Sequence, residues 1–312
     1  MRGKIDSLQA IRAIAFLAIF TTHIGFFSPG GTWGVSIFFI LSGFLMTYNY
    51  FGKNRITKVS LKENIRFSIR KIYKLYPLHI FMMIAVVPYL VFKISNIRTL
   101  FSILAKVLLN TALLQAWVPK QDVYFSLNGV AWFFSVSLFL YFMFPYIMYI
   151  IEKYNNKNII ILFMVATFII QIMLGYISSK AVIPVELSDN WMVWFVYIFP
   201  LSRLEDFFIG CNLGYLFLKA KNNKKITRLI WTMLEFLVLV LVILQWVIYI
   251  YLKPSSEGLI DTTQNLWWLL AAFYTPTSCL LIYVFAVNKG RISNFLQMIF
   301  LFIWVILVLI AF

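Results

Sequence analysis

Charged residues and cysteines are both scarce in this sequence, and each scarcity excludes a class of protein. Only 12% of the residues are charged and 62% are hydrophobic, so a soluble domain beyond short loops is excluded. The two cysteines, Cys211 and Cys279, lie far apart in apolar segments without the spacing of metal ligands, so we expect no metal and no cofactor. No small-residue cleavage site follows the basic N-terminus, which predicts that the first apolar segment is retained as a span.

Basic residues outnumber acidic residues, and the formal net charge is +16. In an apolar chain this excess is typical of cytoplasmic loops and of contacts with anionic headgroups. We therefore expect a lipid bilayer, and no nucleic acid, as a partner. The basic segments are residues 2–4, 53–74 and 219–228. The first of them predicts a multi-pass protein of the cytoplasmic membrane whose N-terminus is cytoplasmic.

Apolar segments of about 20 residues, the length that crosses a bilayer, recur along the whole chain. They predict an all-α polytopic membrane helix bundle of about ten transmembrane helices, forming a single domain over residues 1–312. The predicted spans are 8–27, 35–51, 77–94, 101–118, 129–151, 158–179, 204–219, 229–252, 265–287 and 293–312. Residues 190–202 predict a half-helix or an interfacial stretch. Ten simple spans would place the basic segment 219–228 outside, so we predict roughly nine to eleven crossings.

Arg12 and His23 stand in the first predicted span, where an ionisable residue is costly and usually functional. At about 100° and 1.5 Å per residue, their spacing places both on one helix face, roughly 16 Å apart along the axis. A guanidinium at the cytoplasmic mouth suits a phosphorylated ligand, and a deeper neutral imidazole suits a general base acting on a hydroxyl. Alternatively, Arg12 snorkels to the interface and His23 bonds to a neighbouring helix.

Three basic residues, Arg70, Lys71 and Lys74, recur at helical spacing just before the third predicted span. They predict an interfacial anchor, a clamp for phosphate groups, or both. His79, just inside that span, is expected at the interface. Ser42 in the second span is more typical of helix packing than of a nucleophile, because the strand–serine–helix context of a nucleophile elbow is missing.

A later apolar helix opens with Arg203, Glu205 and Asp206. Acidic residues in a first helical turn complement the helix dipole, so one interpretation is capping combined with an arginine–carboxylate pair. Burial at membrane depth would instead favour a function. A further carboxylate, Glu235, is predicted to pair with Arg228, which lies about two turns away.

Five motifs, taken in order, closely resemble the membrane acyltransferase type 3 family. They are Arg12-x10-His23, GVSIFFILSGFL, RKIYKLYP, AWFFSVSLFLYFMFP and RLEDFFIGCNLGYLF, and together they cover residues 7 to about 296. The resemblance implies that Arg12 and His23 occupy the essential arginine–histidine motif of that family. It also implies a bundle of about ten helices that moves acyl groups, usually acetyl from acetyl-CoA, onto saccharide hydroxyls.

The chain departs from the family pattern at three places. Lys71 and Lys74 stand where the family typically has two arginines, so positive charge is kept but the bidentate fork is lost. Ser137 stands where many members have a glutamate, which we interpret as a mark of subgroup. Phe300 lies near the place of a family histidine in the last helix, which predicts an atypical or truncated final helix.

The combined expectation is an integral-membrane O-acyltransferase that uses an acyl-CoA and a saccharide acceptor. Two alternatives stay open, namely a transporter or flippase for a lipid-linked saccharide and an inactive family member. The candidate site residues are His23 and Arg12 for catalysis, Arg70, Lys71 and Lys74 for the acyl donor, and Ser42, Arg203, Glu205 and Asp206 in supporting roles.

Overall fold

The computed structural model describes residues 5–27, 29–52, 59–92, 94–180, 191–220, 227–252 and 272–298. These residues are mainly helical, and none of them forms a β-strand. In chain order the helices are α1 (Asp6–His23), α2 (Pro29–Tyr50), α3 (Leu61–Ile72), α4 (Tyr76–Phe92), α5 (Ile97–Thr111), α6 (Gln121–Tyr124), α7 (Trp132–Tyr154), α8 (Lys157–Lys180), α9 (Trp191–Val193), α10 (Pro200–Lys219), α11 (Arg228–Leu252), α12 (Thr275–Val287) and α13 (291–298). A 3₁₀ turn covers Gln115–Trp117, and α9 continues as a π-helix over Trp194–Ile198.

The all-helical membrane architecture is confirmed, whereas the predicted count of about ten spans is not. Within the described ranges, four helices are long and apolar enough to cross a bilayer, namely α2, α7, α8 and α11. A fifth span is present if α3 and α4, which meet at 67°, together form one broken crossing. Residues 265–271 of the predicted span 265–287 and residues 299–312 of the predicted span 293–312 lie outside the described residues, as does Phe300.

Helix α3 occupies residues 61–72 of the basic segment 53–74, whose charge is typical of a cytoplasmic loop. Its buried residues Asn64, Ser68 and Ile72 fall on one face, and α3 packs along α7. Lys62, Arg66 and Arg70 recur every four residues and are all exposed. Charge dominates the composition of this stretch, which is typical of a loop. Its exposed basic residues and its buried residues nevertheless each recur with the helical period.

Helix boundaries follow from residues with restricted or unusual backbone preferences. Asn155 takes a left-handed conformation with φ of 40° and ends α7, and Asn288 ends α12 in the same way with φ of 53°. Pro200 stands in the first turn of α10, where its missing N–H costs nothing. Residues 190–202 were predicted as a half-helix or interfacial stretch, and the short helical segment that ends before Pro200 agrees with the first of these.

Helix α2 lies at the centre of the bundle, and glycines bring its neighbours close. A Cβ atom on Gly214 of α10 would lie 2.7 Å from the carbonyl oxygen of Phe44, and one on Gly210 would overlap the carbonyl oxygen of Ile40. Partner positions increase together along the two helices, so α2 and α10 run parallel. On the other side, a Cβ on Gly34 would lie 2.8 Å from the carbonyl oxygen of Ala15.

The helix directions resolve the conflict over the basic segments. Because α1 and α2 form an antiparallel hairpin and α10 is parallel to α2, the start of α1 and the ends of α2 and α10 share one face. Lys219, at the end of α10, holds its Nζ atom 5.5 Å from the centroid of the Phe51 ring, just beyond α2. One face therefore holds the described residues that adjoin the three basic segments, namely the start of α1 and the ends of α2 and α10, and we call it the basic face.

The last described helix, α13, is held against α11 by hydrogen bonds to Glu235. The backbone amides of Ile292 and Ser293 donate to Oε2 of Glu235, at 2.9 and 3.2 Å, and Glu235 is fully buried. A Cβ on Gly290 would overlap the Glu235 carboxyl, so a larger residue at that position would displace the carboxylate. The predicted pairing of Glu235 with Arg228 is wrong, because the carboxylate caps the first turn of α13.

Candidate active site

Arg12 and His23 lie on one uninterrupted helix, so the axial separation of roughly 16 Å expected from sequence applies in the structure. Their surroundings differ. Arg12 is half-buried in the bundle on the side of the basic face, whereas His23 is the last residue of α1 and is exposed at the opposite end. The helix thus presents a cation toward one face of the molecule and an imidazole toward the other.

Arg12 belongs to a polar group drawn from three helices. Its guanidinium acts electrostatically on the hydroxyl of Tyr141 in α7, and Ser42 of α2 lies within hydrogen-bonding reach of the same hydroxyl. The Nε atom of Arg12 is buried and has no hydrogen-bond partner among the described residues. Since Tyr141 and Ser42 are neutral side chains, this part of the site holds a positive charge with donor capacity to spare.

The start of α1 is fixed by contacts to the C-terminal helices. The Ser7 hydroxyl donates to the carbonyl oxygen of Phe285 at 2.7 Å, and Nε2 of Gln297 donates to the Asp6 carboxylate at 3.2 Å. Both contacts lie within two turns of Arg12. They anchor the helix that carries the two candidate residues to α12 and α13.

Among the described contacts, those that hold His23 are made by its backbone. Its imidazole is exposed and has no hydrogen-bond partner within the described part of the chain. The turn beyond it is closed by Phe26, whose amide donates to the carbonyl oxygen of Thr21 at 2.9 Å, and by Gly25, which has φ of 77°. A free imidazole nitrogen at an open helix end can accept a proton from an incoming hydroxyl.

The three predicted donor-binding residues differ in their exposure and in their contacts. Arg70 and Lys74 are exposed, near the bend between α3 and α4. Lys71 is half-buried, with Nζ 4.8 Å from the Tyr50 ring centroid and 5.3 Å from that of Phe67. The charge of Lys71 is therefore already engaged by cation–π contacts, whereas Arg70 and Lys74 are available to an anion.

Arg203 and Asp206 form a buried ion pair, and Glu205 is half-buried close enough to act electrostatically on both. The Arg203 Nη1 atom lies 2.8 Å from Oδ2 of Asp206, and these side chains are 2% and 0% exposed. The Oδ1 atom of Asp206 accepts from Gln171 of α8 at 3.1 Å and from Thr275 of α12 at 3.2 Å. The pair joins three helices at depth, which goes beyond the capping expected from sequence.

His79, which was expected at the membrane interface, is buried against neighbouring helices. It is 2% exposed, and its Nε2 atom lies 3.1 Å from the carbonyl oxygen of Asn110. The helix that bears it turns away from α3 by 67°, which carries the ring against Phe134 of α7.

Sequence reasoning missed Tyr141, Gln171 and Thr275. Each is a polar side chain in an apolar helix, and such a side chain needs a partner when it is buried. That signal is readable in the sequence, but it does not say which helix supplies the partner. The partners of Tyr141 come from α1 and α2, and those of Gln171 come from α10 and α12.

Comparison with known proteins extends the resemblance to the whole described fold. The sequence model of the acyltransferase domain family matches residues 5–312. No solved structure matches the chain. Acyltransferase MdmB of Streptomyces mycarofaciens is 28% identical over 161 residues, which is 46% of this chain and 38% of that protein.

Two further relatives are named O-acetyltransferases. O-acetyltransferase OatA of Staphylococcus aureus (strain NCTC 8325 / PS 47) is 26% identical over 237 residues, 71% of this chain and 37% of that protein. Peptidoglycan O-acetyltransferase OatA of Listeria monocytogenes serovar 1/2a is 37% identical over 95 residues, 29% of this chain and 14% of that protein. This chain thus spans well under half the length of these relatives. The match over nearly its own whole length shows that the chain belongs to the membrane acyltransferase type 3 family.

Proposed function

We propose that the protein is an integral-membrane O-acyltransferase that moves an acyl group, which we take to be acetyl, from an acyl-CoA to a saccharide hydroxyl. The observation that carries the proposal is α1, which holds Arg12 on the side of the basic face and exposes His23 at the other end. Two relatives are named O-acetyltransferases, one of them a peptidoglycan O-acetyltransferase. A cell-surface glycan or its lipid-linked precursor is therefore the acceptor class we favour.

The donor side of the reaction belongs to the basic face. An acyl-CoA carries phosphates at one end and a thioester at the other, so cations should hold the phosphates and leave the thioester free to extend into the bundle. Arg70 and Lys74 are exposed near that face, and Arg12 offers unused donors deeper along α1. Arginine and lysine both bind phosphate, and only Arg12 and Arg70 offer the planar fork.

The acceptor side belongs to His23. Its neutral imidazole accepts the proton of the saccharide hydroxyl while the hydroxyl oxygen attacks the thioester carbon. The tetrahedral intermediate then collapses, the carbon–sulfur bond breaks, and the CoA thiolate takes up the proton to leave as the thiol. If the phosphates lie near Arg12, the arm that joins them to the thioester must cover the roughly 16 Å from Arg12 to His23. No metal or further cofactor takes part in this scheme.

This scheme also gives the proposed orientation. If the basic face is cytoplasmic, as the distribution of lysine and arginine favours, the donor approaches from the cytoplasm and His23 faces the outer side of the cytoplasmic membrane. A glycan under assembly at the cell surface would meet the imidazole there. The N-terminus, at the start of α1, is then cytoplasmic.

The test uses the full chain in proteoliposomes with labelled acetyl-CoA and two acceptors, peptidoglycan fragments and a lipid-linked saccharide. We expect label to reach one acceptor, and His23→Ala to lower the rate by about 10²- to 10⁴-fold, the usual range for a general base. Ile24→Ala is the matched control, because Ile24 is the next residue and is 61% exposed.

Two results would contradict the proposal. Transfer that continues at the wild-type rate in His23→Ala would remove His23 from the reaction. Movement of the lipid-linked saccharide across the bilayer, with no label transferred by any variant, would instead identify the protein as a transporter.

A further inference from the structure

The turn that carries His23 is braced from a second part of the molecule. Because the imidazole has no side-chain partner among the described residues, its position depends on the α1–α2 backbone. The Thr22 hydroxyl lies within hydrogen-bonding distance of carbonyl oxygens on both sides of the turn, those of Ala18 and Phe27, and its one proton can be donated to either. Gly31 of α2 packs against Thr22, since a Cβ on Gly31 would lie 3.1 Å from the Thr22 Cγ2 atom.

Tyr197 reaches this turn from the π-helix before α10. Its hydroxyl donates to the carbonyl oxygen of Gly31 at 3.4 Å, a long hydrogen bond across 166 positions of sequence. π-Helical turns are rare and are frequent at functional sites, because the extra residue displaces a side chain from the regular helical spacing. The π-helix Trp194–Ile198 includes Tyr197 and ends at the break before Pro200.

Arg203 holds Tyr197 in place. Its Nε atom donates to the carbonyl oxygen of Tyr197 at 2.8 Å, and the guanidinium carbon lies 4.8 Å from the centroid of the Tyr197 ring. A carbonyl at the end of a helical segment lacks an intrahelical donor, and a cation is a favourable partner for it. Asp206 fixes the other edge of the guanidinium.

We propose that Tyr197 is a positioning residue for His23. Arg203, itself paired with Asp206, holds the backbone and ring of Tyr197. The Tyr197 hydroxyl in turn bonds to the carbonyl of Gly31. Gly31 packs against Thr22, the residue next to His23. Tyr197 does not touch the reacting atoms; it limits the positions that His23 can take toward the acceptor hydroxyl. This inference rests on the proposed acyl transfer for its catalytic part and on the described contacts for its structural part.

The test compares Tyr197→Phe with Tyr215→Phe in the reconstituted full chain. Tyr215 is a matched control because its hydroxyl also makes one hydrogen bond to a helix end, with Oδ1 of Asn155 at 3.1 Å, close to the basic face. Two quantities are measured for each variant: the amide hydrogen exchange of the peptide covering residues 22–31, and the kcat and KM of acetyl transfer.

We expect Tyr197→Phe to speed exchange in residues 22–31 and to lower kcat about two- to fivefold, the lower part of the range for one net hydrogen bond. The KM for acetyl-CoA should not change, because the donor binds near the other end of α1. Tyr215→Phe should change neither quantity. A general loss of packing would instead raise KM or speed exchange throughout the chain. A lower kcat with unchanged KM and local exchange therefore distinguishes a positioning role from a merely structural one.

Three outcomes would overturn the inference. If exchange in residues 22–31 is unchanged in Tyr197→Phe, the hydroxyl does not brace the turn. If exchange rises while kcat stays at the wild-type value, the turn is braced but His23 needs no positioning. If the wild-type protein transfers no acetyl group, the proposed function fails and the catalytic part falls with it, while the exchange measurement still decides the structural part.

Discussion

Arg12 and Arg203 are two arginines in an apolar bundle, and their surroundings are opposite. Arg203 is 2% exposed and has a carboxylate, a backbone carbonyl and an aromatic face as partners. Arg12 is half-buried among neutral groups, and its Nε atom has no partner within the described residues. One cation is fully matched by the protein, and the other retains capacity for an outside anion.

This difference distinguishes a charge that stabilises the fold from a charge that is free to bind a ligand. A charge inside a membrane protein is costly unless it is paired, so a fully paired charge is explained by the fold alone. A charge that the fold leaves partly unpaired needs a different explanation, and a phosphorylated ligand is one that fits Arg12. The two arginines should therefore respond differently to substitution, one through stability and the other through activity.

The largest expected effect is the loss of one partner of the Arg203–Asp206 pair. Arg203→Met should lower the free energy of unfolding by about 3–5 kcal/mol, because it leaves the Asp206 carboxylate buried without its cation. The thermal unfolding midpoint of the purified protein in detergent is the measurement. Asp206→Asn alone should also destabilise, since it leaves the guanidinium unpaired.

The double variant sharpens this prediction. Arg203→Met combined with Asp206→Asn removes both charges and keeps an oxygen that can accept from Gln171 and Thr275. We expect it to recover much of the loss of either single variant, because paired residues in one network are not additive. A double variant as unstable as the sum of the two singles would show that charge pairing is not what holds these helices.

Arg12 should give the reverse pattern. Arg12→Met leaves no carboxylate orphaned, so the free energy of unfolding should change by less than about 1 kcal/mol, as for a site with only neutral neighbours. The kcat/KM for acetyl-CoA should fall by roughly 10- to 100-fold, the scale of one lost charged hydrogen bond of about 1.5–3 kcal/mol.

Arg12→Lys is the control for this prediction. It keeps the charge and loses the fork, so part of the activity should return. If Arg12→Met were as unstable as Arg203→Met, Arg12 would belong to the architecture after all and the comparison between the two arginines would collapse.

The placement of Arg12 and His23 could be predicted from the sequence because both lie in one helix, where spacing alone determines the face and the distance. The side chains that contact Arg12 could not be predicted. Tyr141 comes from α7, and no local pattern points from α7 to α1. The basic face shows the same limit. Charge located the basic segments in the sequence, but the parallel course of α2 and α10 was needed to show that the ends of these two helices share one face.

Glu235 shows why a local rule fails at a buried charge. The rule that residues two turns apart share one face of a helix favoured Arg228, a residue of the same helix. The structure instead satisfies the carboxylate with backbone amides 57 and 58 positions away. A buried acid accepts from any donor that packing brings to it, and here packing brought the amino end of α13.

Glu235 also extends the comparison to a buried carboxyl group that forms no ion pair with any described residue. Glu235→Ala should destabilise by about 1–2 kcal/mol, the range for a lost helix cap, and Gly290→Ala by about 1–3 kcal/mol through overpacking. Thermal unfolding of the two single variants and of the double variant tests both. The double variant should be less unstable than the sum, because removing the carboxylate makes room for the new methyl group.

Additive losses would indicate that Gly290 is needed for its backbone and not for the space beside Glu235. Glu235→Gln is the matched variant that keeps the shape of the side chain. Its oxygen can still accept from Ile292 and Ser293, so we expect it to lose only part of what Glu235→Ala loses.

The smallest effects are expected at α3, where one engaged and one free cation stand side by side. Lys71→Met should cost about 0.5–1 kcal/mol of stability through its lost cation–π contacts and leave the KM for acetyl-CoA unchanged. Arg70→Met should leave the unfolding midpoint unchanged and raise that KM about two- to fivefold, the effect expected of an exposed charge on a phosphate. Both variants lose one positive charge, so each is the control for the other. A KM that rises equally in both would show that only the total charge of the basic face attracts the donor, and the distinction between matched and unmatched cations would then hold for buried positions alone.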